Sequence, residues 1–117
     1  MRYRVTNKNR NTLLAANAAR ADSFVTRFKG LMGVATLPAG EGLHITPCNS
    51  VHTFFMKIPI DVLFLDASQQ VVDVAHAMAP WRVSPVYFSA KSVLELPAGT
   101  AAATRTETGD TLEFVLS

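Results

Sequence analysis

A succession of short apolar runs constrains this chain more than any other feature. They span residues 42–46, 51–56, Ile60–Leu65, 71–77, 92–96 and 111–116, and Pro, Gly, Asn or Ser separates them. Each run is too short for an ordinary helix and is rich in β-branched and aromatic residues, so each reads as a strand. Within Ile60–Leu65, alternation sends Ile60, Val62 and Phe64 one way and Leu63 and Leu65 the other, which marks a central strand buried on both faces. Residues 66–70 read as a hairpin connection, and Gly109-Asp110 turns the chain into its last strand. The chain is therefore expected to be mainly β.

The N-terminal third is mixed. Residues 2–6 alternate like a strand and residues 7–11 form a polar turn, while residues 12–18 fit either a hairpin partner or an Ala-rich helix. Residues 23–32 read as a short amphipathic helix. Asp22 or Ser23 supplies the N-cap, Phe24, Phe28, Leu31 and Met32 recur at helical spacing, and Gly33 stands where a left-handed C-terminal cap is wanted. Gly30 in the last turn costs about 1 kcal/mol relative to Ala, which points to close backbone approach there. Residues 100–104 fit one short helical turn, and residues 79–90, with Pro80, Trp81 and Pro85, read as an irregular loop.

A length of 117 residues without repeat, linker or low-complexity tract fits one domain spanning residues 1–117. With 49% hydrophobic and 17% charged residues, the chain lies in the globular range. The net charge is +2, but Lys and Arg are dispersed except over residues 2–10, so nucleic-acid binding is unsupported. No apolar signal region follows the basic start and no run approaches membrane-spanning length, so a cytoplasmic monomer with no membrane partner is expected. A single cysteine, Cys48, excludes an internal disulfide and fits a reducing compartment.

Residues 47–61 hold the chemistry. His52 shares a strand face with Phe54 and Met56, Asp61 shares one with Leu63 and Leu65, and Glu95 shares one with Val93. A buried carboxylate needs a partner, and Arg27 on the short helix is the natural cation. Arg27, His52, Asp61 and Glu95 are accordingly expected to meet.

Four motifs occur in order: Arg27-x-x-Gly30-Leu31-Met32; Pro47-Cys48-Asn49-Ser50-Val51-His52-Thr53-Phe54-Phe55-Met56; Pro59-Ile60-Asp61; and Val93-Leu94-Glu95-Leu96-Pro97-Ala98-Gly99. Together they resemble a widespread prokaryotic family catalogued as domain of unknown function number 192, over about residues 21–116. The resemblance implies a small, partly open β barrel-like fold with short helices, an α+β domain in class terms, and no established activity, cofactor or catalytic set. Many members of that family resemble exported or lipid-anchored proteins with a leader ahead of the domain, which this sequence does not show.

Each candidate group also has a structural reading. Cys48 and His52 are weak metal-ligand candidates, or a thiol and its base, or a buried cysteine beside a core histidine. Asp61 and Glu95 fit an acid–base pair for hydrolysis, a ligand site, or an ion-pair network with Arg27 that docks the helix. Trp81, with Tyr87 and Phe88, fits a stacking platform or a lid over the barrel's open end. Met32, Met56 and Met78 with His44, His52 and His76 fit soft-metal binding less simply than they fit core. The leading expectation is a non-enzymatic domain that binds an unidentified small polar ligand or a protein through Arg27, His52, Asp61 and Glu95, roofed by Trp81. The alternatives are a small hydrolase, using His52 with Asp61 or Glu95 or using Cys48, and a purely structural cluster with function on another surface, weak nucleic-acid binding included.

Overall fold

Strand β4 (Ile60–Leu65) is buried at every position, and the rest of the fold is arranged around it. The computed structural model describes residues 2–117. Its other elements are β1 (Arg2–Asn7), β2 (Thr12–Ala21), α1 (Phe24–Lys29), β3 (Glu41–Ile45), β5 (Val71–Met78), β6 (Ser92–Pro97), α2 (Thr100–Ala103) and β7 (Leu112–Leu116). The seven strands form one sheet in the order β5-β4-β6-β3-β2-β1-β7. Only the β2–β3 pair is parallel; the other neighbours are antiparallel.

The sheet curls until its edges touch at one end, where Gln70 bridges Thr111 and the Val71 amide donates to the Asp110 carbonyl at 2.7 Å. The result is a small, partly open β barrel with two short helices. Its concave face carries one core, from Val5, Leu14, Ala15, Ala18, Leu63, Leu65, Val71, Leu94, Leu96 and Leu112. A second core lies on the opposite face of the β3–β6–β4 strip, where Ile45, Ile60, Val62, Phe64 and Val93 are covered by Leu31, Val51, Met56 and Ala90. Fully burying each large side chain in these layers is worth about 1.5–3 kcal/mol.

Residues 12–21 are strand, not helix, because small Ala15 and Ala18 let β1 and β3 close on both sides. A Cβ added to Gly42 would stand 2.9 Å from the Leu96 side chain, so glycine sets the β3–β6 approach. Helix α1 is capped by Ser23, whose side chain accepts from the Thr26 amide at 3.1 Å. It ends at Lys29 and not at Met32, because Gly30 adopts φ +49. The side chain of Phe24, first in the sequence stripe, lies outside the described set.

Residues 51–56 do not form the expected strand. His52 makes a single bridge to Val83, and Phe55 turns the chain with φ +62. Buried Thr53 holds the segment: its hydroxyl donates to the Ala79 carbonyl at 2.7 Å and accepts from the Arg82 amide at 2.8 Å, while its carbonyl accepts from the Trp81 amide at 2.9 Å. Ser84 adds a second fastening, accepting from the Val51 amide at 2.9 Å. Residues 49–53 and 82–87 thus form one zipped layer over the outer core.

Asp61 is fully buried on the concave face, where its carboxylate accepts from the backbone amides of Ala77, Gly99 and Ala101 at 2.8, 3.1 and 2.8 Å. Gly99 has no side chain with which to cap α2, and Asp61 supplies that cap from β4. Asp61→Asn puts an N–H₂ where an acceptor is needed, and is expected to cost about 1–3 kcal/mol in chemical denaturation. An unchanged unfolding midpoint would show that these amides do not depend on the carboxylate.

Candidate functional site

The outer core is incompletely filled. A cavity of about 100 Å³ opens between α1, residues 30–32, residues 48–52, β3 and β6, with Arg27, Gly30, Cys48, His52, Met56 and Glu95 in its wall. Two shallower depressions, of about 270 and 300 Å³, adjoin it around Arg27, Pro47, Cys48 and Asn49.

Glu95 is placed here by β6 alternation: it pairs with Val62 on β4 and Leu43 on β3, and its side chain leaves the sheet on the outer face. It is 3% exposed and makes no hydrogen bond among the described residues, and its Oε1 is buried without a partner. A Cβ at Gly30 would stand 3.6 Å from that oxygen, so glycine keeps the space in front of Glu95 open. Burial raises the Glu95 carboxyl from 4.5 to about 8, so at neutral pH it is a neutral acid with an O–H to donate and a carbonyl to accept.

Arg27 stands in the last turn of α1. One terminal guanidinium nitrogen donates to the Pro47 carbonyl at 3.1 Å, while its Nε is buried and unpartnered. Cys48 lies between the two groups. Burial pushes its thiol up, with Glu95 acting the same way and Arg27 against, and its Sγ donates to the Ser50 carbonyl at 2.9 Å. His52 accepts from the Phe54 amide through Nδ1 at 3.2 Å, which leaves Nε2 as the free ring nitrogen.

Beside the cavity runs a chain of rings. Phe28 meets His52 at 5.7 Å, His52 meets Phe54 at 5.1 Å, Phe54 meets Trp81 at 5.9 Å and Trp81 meets Phe55 at 4.8 Å. Phe28, Phe55 and Trp81 are all more than half exposed. Residues 24–34, 46–59 and 79–91, which build this face, carry five of the eleven Lys and Arg residues and none of the nine Asp and Glu residues. The sequence looked evenly charged because the acids lie on the other segments.

Of the residues expected to cluster, the structure brings Arg27, His52 and Glu95 to one cavity and separates Asp61 from them. Asp61 faces the barrel interior and Glu95 the outer layer, so the two carboxyls cannot act on one substrate. The ion-pair network is also not formed: the ion pairs among the described residues are Arg10 with Glu107 and Asp110, and Arg20 with Asp22. Trp81 does not roof the cavity; it stands beside it against Phe54 and Phe55. The cavity itself lies outside the barrel, under α1, and not at the barrel's open end. No group of three His, Cys, Asp or Glu residues among those described is placed to hold a metal ion. Sequence reasoning missed Thr53, whose position in a supposed strand gave no sign that it joins two loops. It also missed buried Asn7, which bonds Thr106 and Asp110, each at 3.0 Å.

Glu95 gives stability a pH dependence. Between 4.5 and about 8 the folded chain keeps a proton that the unfolded chain has released, so stability falls as pH rises through that window. His44, buried against Phe114 and lowered by burial to about 4 from 6.5, acts in the opposite sense, so its stabilisation grows as pH rises to 6.5. The two oppose each other between pH 4.5 and 6.5, and of the two only Glu95 acts from there to about 8. Urea unfolding midpoints are expected to fall across that interval in the wild type and to stay level in Glu95→Gln. Glu95→Met, which removes the unpaired carboxyl from an apolar setting, is expected to raise stability by about 1–3 kcal/mol at pH 8. A level wild-type profile would mean that Glu95 is paired or solvated.

Comparison with known proteins fits this fold. The family model DUF192, described as "Uncharacterized ACR", matches residues 5–114. A UPF0127 protein of Thermococcus sibiricus is 35% identical over 116 residues, covering 92% of this chain and 72% of its own length. A UPF0127 protein of Pyrococcus furiosus is 37% identical over 101 residues, covering 80% and 83%. Two solved structures share the fold. A protein of unknown function from Novosphingobium aromaticivorans has a TM-score of 0.83 at 24% identity, covering 97% of this chain and 84% of its own. A putative transcription regulator from Sinorhizobium meliloti has a TM-score of 0.83 at 20% identity, covering 97% and 92%. With a family model spanning nearly its whole length and relatives above 30% identity along most of it, the chain belongs to the uncharacterised DUF192 family.

Proposed function

We propose that this protein is a non-catalytic recognition domain that takes a small polar group, free or borne by a larger partner, into the cavity between Arg27, Cys48, His52 and Glu95. The observation that carries this reading is Glu95 itself. A buried carboxyl without a hydrogen bond costs the fold stability, and Gly30 preserves empty space in front of it. A site that keeps an unsatisfied acid beside an unsatisfied arginine nitrogen is arranged for a group that satisfies both.

Size supports a small occupant. An engineered apolar cavity of about 150 Å³ admits benzene, so about 100 Å³ suits a group of a few heavy atoms. The exposed rings and cations around the mouth give the remainder of a partner a surface to lie on. Chemistry at the cavity is less well supported, since the Cys48 thiol is held protonated by burial and no carboxyl pair is assembled.

The test is a screen of small polar fragments against isotope-labelled protein. Amide shifts are expected at Gly30, Cys48, His52 and Glu95 and are expected to disappear in Cys48→Leu, whose larger side chain enters the cavity. Shifts that gather elsewhere, or that survive Cys48→Leu unchanged, would remove this reading.

A further inference from the structure

The cavity reading leaves open which chemical class enters, and the unpartnered groups on its wall decide between classes. Two of them are polar groups left without a partner. Arg27 Nε carries an N–H with no acceptor, and Glu95 is an acid with no hydrogen bond to any described residue. A carboxylic acid held neutral by an apolar site can donate a hydrogen bond to an anion. His52, with Nδ1 already accepting, offers its Nε2 side as a further donor.

The wider field has the same sign. Arg27 and Lys29 close the last turn of α1 and both line the cavity, offsetting the partial negative charge of that helix end. Lys91 lines the adjoining depression, and the three segments of this face contain no acidic residue. The groups that face Glu95 from the neighbouring elements are Arg27 and Lys29 on α1, and Cys48 and His52 on the covering segment. From the sheet it meets only apolar Ile45 and its register partners Leu43 and Val62. A cation entering would meet two positive side chains and an uncharged acid. An anion meets donors.

Apart from Ser50, the rest of the wall is apolar, formed by Phe28, Leu31, Met32, Ile45, Val51 and Met56. It suits a short hydrocarbon stem.

Resting on the cavity reading above, we propose that the cavity is a carboxylate site. It seats a short apolar stem ending in a carboxylate, which accepts from Arg27 Nε–H and from the Glu95 O–H. The same chemistry reaches the cavity from two sources, a free short-chain acid or the carboxylate of a peptide.

Propionate, propionamide and propylammonium, matched in size, test the assignment by shift perturbation of the labelled protein at pH 7. Propionate is expected to shift Gly30, Cys48 and Glu95, with the other two at least ten-fold weaker. Its affinity is expected to fall about ten-fold between pH 7 and pH 9 as Glu95 ionises. Glu95→Gln, which still donates through its amide, is expected to bind within about three-fold of wild type at pH 7 and to lose the alkaline fall. Glu95→Leu and Arg27→Met are each expected to lose ten-fold or more. The tripeptide Gly-Gly-Ala and its C-terminal amide separate the sources: tighter binding of the free-ended peptide than of propionate supports a carboxylate borne on a chain, and the reverse supports a free acid. Propylammonium binding that strengthens through pH 8, or preferred binding of propionamide, would overturn the carboxylate assignment while leaving the cavity as a site. Failure of all three probes to shift cavity residues would overturn both.

Discussion

The antiparallel pairing of β4 with β6, running from Ile60 opposite Pro97 to Leu65 opposite Ser92, sets the character of the whole molecule. It puts Asp61 level with Leu96 and Val62 level with Glu95, so the two carboxyls in the middle of the sheet leave it on opposite faces. A shift of one residue would place both on one side and carry Asp61 away from the amides it accepts from, into the apolar outer core. The two acids also have opposite fates. Asp61 accepts three backbone amides and finishes a helix that has no cap of its own, whereas Glu95 receives nothing from the protein.

That asymmetry separates scaffold from site. Inside the barrel Asp61 is answered by amides, and Asn7 by Thr106, Asp110 and two backbone N–H groups, while His44 Nε2 is buried without a partner. The outer layer is built differently. It is a covering of loops fastened by Thr53 and Ser84, with Gly30 leaving room and two polar atoms left without partners. Sites that keep unsatisfied groups for a ligand give up stability to do so, and at Arg27 and Glu95 that loss falls on the layer that the barrel does not need in order to close.

Much of the barrel was legible in the sequence. Ile60–Leu65 reads as a doubly buried central strand because both alternating rows are apolar, and the hairpin at 66–70 follows from Asp66, whose side chain accepts from Ser68 and Gln70. Other features were not legible, for physical reasons. Alternation tells which residues share a face of one strand, but not how that face matches a strand thirty residues away, so Asp61 and Glu95 were expected to meet. Residues 51–56 have strand composition, yet Thr53 makes five hydrogen bonds with the 79–84 loop through its backbone and hydroxyl, and no ladder remains for its neighbours. The cationic face was hidden because the bases that form it come from three segments far apart in sequence. His52, Arg27 and Glu95 were still found, because a polar side chain in an apolar row is visible one strand at a time.

The central claim is that Glu95 stands buried, protonated and unanswered at the wall of a cavity. Carbon-detected NMR titration of the Glu95 side-chain carboxyl reads this directly. The account predicts a single Glu95 transition centred near pH 8. A Glu95 transition near 4.5 would mean that the group is solvated or paired in solution, and would contradict both the energetics and the site built on it.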